Sequence, residues 1–565
     1  MFRSSRLRWA TVAAALTAGP AFAQPPAPVV PYNPAAQAPP TAAVPAAPVP
    51  ALPAALPPAA APCDTLTGCD AGGGGFDFKN VPVVRPYPRL GMFPVPPTGP
   101  GYYSLLDAVR GNCRQGPPAY PYPRSALMPQ SFFDTSFAYL DNPSDAPPDR
   151  LDSLKRMHLG DDFLLSVGGG GWSRLHNEYN SRLGAVDNNY YLARSRLYAD
   201  LWYQDRARVY VEGIYSYTQW QDLAPLPIDR TGPDFLNLFV DLKLFDYAGK
   251  GVYARAGRQE LLLGSQRLVS PLEWANTRRT FQGVSVLRTG EKWDATAFWL
   301  QPVIPNSQKL DWADVQQHFA GGWLTYRPKP GTTVDFYDLV YVNDNTVVQR
   351  GIQRGNFALN TLGGRFAGDN DGWLWDGEAA LQLGRQAGAD VVAGMATAGV
   401  GRTFQRAPWT PTVWQYIDYA SGDNNPRGGT VHTFNQLFAF GHYYMGWADL
   451  VGRQNVVDLN THAYLYPAKW LTLNFQYHRF WLANATDALY NPAGNVSRFD
   501  PTGLSGRDVG NEVDAIANIH LTKRANLMVG YSYLFAGSFL RNTAPAGQVG
   551  TSDASTFFAM YAFRW

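Results

Sequence analysis

Only three of the 565 residues are cysteine, only 16% are charged, and beyond the amino-terminal segment there is no uninterrupted run of about 18 apolar residues. Each scarcity closes off a class of protein. Three thiols cannot staple a chain of this length. Cys63, Cys69 and Cys113 all precede the strand-rich region; a Cys63–Cys69 disulfide in an oxidising periplasm and three unrelated thiols fit the count equally well. Without a long apolar run no α-helix can span a bilayer. A formal net charge of +2 supplies no bulk field for a nucleic-acid partner. The eight histidines are dispersed, and neither G-x-S-x-G nor H-E-x-x-H occurs, so the expectation is a protein that is not an enzyme, with no catalytic residues, metal or cofactor.

What is present is aromatic. The chain carries 31 Tyr, 30 Phe and 17 Trp, residues suited to strands and to membrane–water interfaces, where a ring sits in apolar surroundings and its polar tip in water. Arg3, Arg6 and Arg8, the apolar run from Trp9 to Ala18 and the small residues of Ala21-Phe22-Ala23 predict a cleavable secretory signal over 1–23. From Gln24 to about Pro62 the sequence is almost wholly Pro and Ala, which favours extended, solvated chain. Residues 24–130 are therefore expected to be irregular or disordered, a tether with room for a periplasmic or cell-wall partner. Residues 131–157, with Phe132, Phe133, Phe137 and Tyr139, form a lead-in segment expected to pack at one mouth of the strand-rich region.

From residue 158 to Trp565 the texture changes to ten-residue runs of alternating apolar and polar side chains separated by turns. Tyr191, Ala193, Ser195, Leu197, Ala199, Leu201 and Tyr203 make one stripe; Tyr190, Leu192, Arg194, Arg196, Tyr198, Asp200 and Trp202 make the other. Leu236, Leu238, Val240, Leu242 and Leu244 alternate with Asn237, Phe239, Asp241 and Lys243, and Val513 to Leu521 alternates with Glu512, Asp514, Ile516, Asn518 and His520. A chain that crosses a membrane without helices must close into a barrel, because every backbone N–H and C=O at bilayer depth needs a partner. Aromatics bracket the apolar stripe, full charges fill the other, and the chain ends Phe557, Ala559, Tyr561, Phe563, Trp565 on one parity, as an outer-membrane terminal strand does. Eighteen strands are expected, with short turns such as Asp205-Arg206 at one end and long connections such as 221–233, 421–446 and 483–507 at the other. The fold class is an all-β transmembrane antiparallel barrel embedded in outer-membrane lipid, in a Gram-negative-type envelope. The glycines of Ser166–Gly171 lack the Lys-Ser/Thr of a phosphate loop and fit close strand packing. Asp369-Asn370-Asp371-Gly372 fits a hairpin turn.

Two stretches are dense in Arg, Gln, Glu and Asn between strands and cannot face lipid: Gly257-Arg258-Gln259-Glu260 through Arg267 to Arg278-Arg279-Thr280-Phe281, and Ala420-Ser421-Gly422-Asp423 through Gly441-His442-Tyr443-Tyr444 to Gly452-Arg453-Gln454-Asn455. With the strand count, these segments resemble the alginate-export family of outer-membrane barrels over about residues 155–565. The resemblance implies an eighteen-stranded barrel with an electropositive constriction passing an anionic polysaccharide. On matching positions it implies Arg194, Arg196, Lys243, Arg255, Arg258, Arg267, Arg278 and Arg279 as pore-lining cations. Parity qualifies this set, since Arg255 opposes Val252, Ala254 and Ala256 whereas Arg258 shares their face and needs a bulge or strand end to point inward. Glu260 lies in the same motif. Acidic side chains share the lumen parity, namely Asp200, Glu212, Asp241, Asp376, Glu378, Asp458, Glu512 and Asp514.

Two functions are compatible with this pattern. The first is diffusion of solutes or an anionic, alginate-like glycan through an arginine-containing lumen. The second is a general or solute-selective porin for uptake, in which charges of both signs create a transverse field. An outer-membrane enzyme is disfavoured; His462, His478 and His520 fall on polar strand faces as wall hydrogen-bonders. A TonB-type receptor is disfavoured too, because the amino-terminal part has too little periodic structure for a plug domain. If the signal reading holds, amino-terminal sequencing of the protein recovered from outer membranes will begin at Gln24.

Overall fold

The computed structural model describes residues 76–83, 89–121, 131–141, 149–345, 355–545 and 552–565. The signal segment, the Pro/Ala tract, Cys63 and Cys69 lie outside the described residues; Cys113 is an exposed free thiol.

Eighteen antiparallel strands form the barrel: β1 (Phe163–Tyr179), β2 (Asn188–Tyr203), β3 (Ala207–Gln219), β4 (Thr231–Tyr247), β5 (Lys250–Gln259), β6 (Phe281–Arg288), β7 (Trp293–Ile304), β8 (Gln317–Tyr326), β9 (Thr332–Asn343), β10 (Phe357–Asn370), β11 (Trp373–Gln386), β12 (Ala389–Thr403), β13 (Thr412–Ala420), β14 (Val456–Ala468), β15 (Leu471–Leu482), β16 (Asp508–His520), β17 (Ala525–Ala536) and β18 (Ala554–Arg564). Each pairs with its sequence neighbours, and β1 closes the ring on β18 in a register running from Gly170 opposite Arg564 to Tyr179 opposite Ser555. Closure is what allows the sheet to sit in hydrocarbon, since it leaves no strand edge unpaired. Below the point where β18 ends, a short strand, Met157–Leu159, covers Phe163–Leu165. Gly169 and Trp565 exchange main-chain hydrogen bonds of 3.0 and 2.9 Å.

Every connection at one end has two to eight residues, as at 204–206, 248–249, 289–292 and 371–372, and the long connections 260–280, 421–455 and 483–507 leave from the other, which also carries the shorter turns 180–187 and 387–388. At the hairpin foreseen at 369–372, Asp371 and Gly372 adopt φ of 47° and 76°, the left-handed pair of a tight two-residue turn. Short turns mark the periplasmic side and long loops the cell exterior. The glycine run of β1 is a packing feature: a Cβ at Gly168 would collide with the Tyr198 hydroxyl, 2.5 Å away, and with Lys155 Nζ.

The two stripes separate as their chemistry requires. Leu197, Leu242, Val284, Leu362, Leu381, Ile417 and Val513 are exposed on the outer surface, and Tyr203, Tyr247, Trp293, Trp373 and Trp409 ring its turn end. Arg194, Arg196, Asp241, Asp376, Glu512 and Asp514 are buried on the inner face. One alternation fails. Leu236, expected outside, is buried at 3%, because the β3–β4 register slips between Glu212 and Gly213 and rotates that residue inward.

The outer face therefore predicts its own sensitivity. Leu197→Arg, at mid-strand and 63% exposed, is expected to destabilise the barrel by about 2–4 kcal/mol in lipid vesicles. Leu504→Arg, on a loop and 88% exposed, should stay within about 0.5 kcal/mol, both read by equilibrium denaturant unfolding.

Candidate functional site: the barrel lumen

Charged side chains on alternate positions of adjacent strands meet across the inner wall, and the register decides which pairs form. Arg196 on β2 lies beside Glu212 on β3, with Nε 2.6 Å from Oε1. Arg208 grips Asp200 with two bonds of 2.7 and 2.8 Å, and Arg255 grips Asp241 with two of 2.7 and 2.9 Å. Such two-pronged contacts match the planar guanidinium to the carboxylate. Farther round the wall, Arg365 donates to Asp376 Oδ1 on the next strand at 2.7 Å and lies 3.7 Å from Asp335 on the preceding one.

The two motif segments fold inward from the loop end and complete this network. Loop 260–280 bridges the lumen. At one side Arg278 pairs with Glu260 and Glu273, and Arg194 Nη2 donates to Glu273 at 2.6 Å; at the other, Arg267 reaches Asp376 at 2.6 Å and Glu378 at 3.1 Å. Loop 421–455 runs against it, held by main-chain bonds from Phe438 to Leu268 O (2.9 Å), Ser270 to Phe438 O (3.1 Å) and Phe440 to Gln266 O (3.1 Å). Arg453 pairs with Asp418 on β13, and the Ala448 amide donates to Glu512 at 2.8 Å. Leu261, Leu263, Leu268, Phe434, Leu437 and Phe438 pack with wall residues Phe281, Phe319 and Tyr341 into a dry core inside the barrel. Near the loop end, Arg174 stacks on Trp274 at 3.6 Å, and Trp274 in turn stacks on His442.

Of the expected pore-lining residues, Arg194, Arg196, Asp200, Glu212, Asp241, Arg255, Glu378, Asp458, Glu512 and Asp514 project from the inner wall, and Glu260, Arg267 and Arg278 come from the inward loop. Three do not line the central lumen. Arg258 keeps the outward parity and is fixed at the loop end by Asp234 at 3.0 Å and the Asp311 carbonyl at 2.7 Å. Lys243 sits at the turn end between Asp205 and Asp246, 2.7 and 2.9 Å away. Arg279 donates to the carbonyl of Phe438 and ties one loop to the other. His478 bonds Asp458 at 2.7 Å and His520 bonds Asn526 at 2.8 Å, as wall residues. Arg174, Arg208, Arg365, Asp335 and Asp418 belong to the inner surface and are absent from the sequence-derived set. Parity could have found Arg208, which shares its face with Tyr210 and Glu212.

The amino-terminal part departs most from its composition. Residues 89–95, in a region expected to be irregular tether, enter the barrel from the turn end. The Gly91 and Met92 amides donate to the hydroxyls of Tyr444 and Tyr416, both at 2.9 Å, and Trp414 Nε1 donates to Phe93 O at 3.0 Å. Phe132 and Phe133, in the lead-in, reach inside as well, packing with Tyr198, Tyr210 and Phe239. The physical reason is that fixed wall donors and rings give this stretch the partners its own sequence lacks.

A scan against family models matches alginate export over residues 163–549, more than half of the chain. The chain belongs to the alginate-export family. It is an outer-membrane channel for solutes or polysaccharide, and its family and fold are those of transport channels. No curated protein matches the chain. Among solved structures it is similar to Pseudomonas aeruginosa OccD3 (OpdP), with 10% identity, TM-score 0.48 and coverage of 71% of this chain and 91% of that one. It is also similar to Pseudomonas aeruginosa OpdK with vanillate, with 11% identity, TM-score 0.47 and coverage of 71% and 98%.

Lys155, just before the barrel, is buried with Nζ 2.5 Å from Val167 O and 3.1 Å from the Tyr198 hydroxyl. Burial, aided by repulsion from Arg524 and opposed by Asp152, pulls its pKa down to about 7. Between that value and the ordinary 10.5 the unfolded chain binds more protons than the folded one, so docking of this segment tightens as pH rises through the window and is weakest below it. Denaturant midpoints measured across that range should climb with pH, and Lys155→Met should flatten the climb.

Proposed function

We propose that this channel is a solute-selective passage whose wall presents both charges, rather than a conduit lined by unmatched arginines. The observation that carries the reading is the pairing of Arg194, Arg196, Arg208, Arg255, Arg267, Arg278, Arg365 and Arg453, each within 4 Å of a carboxylate. A long polyanion gains from guanidiniums whose charge is uncompensated, and here each of these is already matched. A small solute bearing both charges, or one carboxylate among hydroxyls, can exchange with one pair at a time. The carboxylates Asp458, Glu512 and Asp514 lie on β14–β16, separated from the arginine-bearing β2–β5 by three strands one way and eight the other. The outer-membrane lipid and the solute are the partners this reading requires.

Single-channel recording of open events in planar bilayers tests it. Under a salt gradient the reversal potential should stay near zero, and oligouronates should leave the current unblocked. Strong anion selectivity with oligouronate block would return the function to polyanion export.

A further inference from the structure

From the periplasmic end the amino-terminal strap lies against the mixed-sign wall, and its contacts are those of a stopper. Its first leg, residues 89–95, is held at the turn end by Arg89, whose Nη1 lies 2.7 Å from Asp369 and 3.0 Å from Gly331 O. Farther in, the leg lies against the ion-pair network itself: Arg365 Nη1 donates to Arg89 O at 2.7 Å, and a Cβ on Gly91 would collide with Asp376 Oδ2 and fall 2.5 Å from Arg267 Nη2. Met92 is fully buried.

The second leg, residues 131–137, does the same at the other arginine cluster. Arg208 Nη2 donates to Phe133 O at 2.8 Å, Arg196 lies over the Phe132 ring at 4.1 Å, and Arg255 lies 4.9 Å from the Phe133 ring. Main-chain carbonyls of the strap thus take N–H groups that guanidiniums already paired with carboxylates still have to offer. Beside the first leg a cavity of about 610 Å³ opens at the turn end, lined in part by Arg89, Leu263, Arg327, Asp335 and Arg365. Taking the leg away would join this space to the interior.

We propose that the strap is a built-in periplasmic gate, in series with the exterior gate formed by loops 260–280 and 421–455. The proposal rests on the channel reading and adds that two stoppers, one from each side, must both yield before solute passes. The series arrangement comes from position: the strap enters from the turn end, the loops from the opposite end, and they meet where Gly91 donates to Tyr444.

Two sets of changes in the full-length chain separate the gates. Gly91→Leu with Phe133→Ala forces a side chain into space that Asp376 and Arg267 already fill and removes the ring packed on Tyr210 and Phe239, releasing the strap while leaving the wall side chains in place. Replacing residues 268–272 and 428–439 by Gly–Ser turns opens both exterior loops and keeps Arg267, Glu273 and Tyr444, which hold the wall pairs and the strap. With folding checked by heat-modifiable gel mobility, planar-bilayer conductance should rise little for either set alone and at least several-fold for both together. If the loop-shortened barrel already conducts as much as the doubly released one, the strap is no gate and the proposal falls while the channel stands. If the folded, doubly released barrel carries no current, the channel reading falls with it. A measurement free of the loop changes tests the docking: trypsin should cut after Arg89 at least several-fold faster in the Gly91→Leu variant than in the parent, and equal rates would overturn the gate.

Discussion

Everything in this protein depends on the ring of main-chain hydrogen bonds that closes when β18 pairs with β1. In hydrocarbon an unpaired peptide group costs several kcal/mol, so the sheet has no stable open form there. Closure also fixes which side of every strand is wet, because neighbouring side chains alternate across the sheet. Once Leu197 faces lipid, Arg196 must face inward, and β3 must answer it with a carboxylate at Glu212. The charge network is a consequence of the register.

That network then organises what fills the barrel. Buried guanidiniums need carboxylates and further acceptors, since a buried charge left unmatched is strongly destabilising. Wall carboxylates meet part of the demand. The remainder comes from segments outside the strands: Glu273 of loop 260–280 for Arg194, and the carbonyls of Arg89 and Phe133 for Arg365 and Arg208. Loops and strap are drawn to the same lining, from opposite ends. An inner surface on which most guanidiniums are matched gives a different filter from a positive sleeve, because it offers exchange of partners instead of a standing attraction for anions.

Much of the barrel was legible in advance, for a simple reason. A two-residue period is local, so each of the eighteen strands announces itself in its own ten residues, and the long and short connections are then set by the gaps between them. Where the period breaks, the reading breaks with it: Leu236 turns inward because a register slip relative to β3 inserts an extra residue, which no feature of its own strand records. Parity puts Arg255 and Arg258 on opposite faces, and in the structure Arg255 is buried against Asp241 while Arg258 is held by Asp234. Parity could not place Lys243, whose stripe is right but whose height puts it beside Asp205 and Asp246 at the rim. The motif segments were recognisable as dense in groups that lipid would reject, which excludes one location without naming another.

By itself the sequence determined the solvent preference of each strand face, the number of crossings and the requirement that the sheet close, because these depend only on periodicity and on the absence of any long apolar run. The tertiary structure alone decided which charges meet, that loops 260–280 and 421–455 fold into the lumen, and that the stretch around Gly91 packs inside instead of trailing as linker. Those outcomes join residues separated by up to hundreds of positions, such as Gly91 with Tyr444. Their energy comes from donors and rings that the chain assembles only after the barrel has closed.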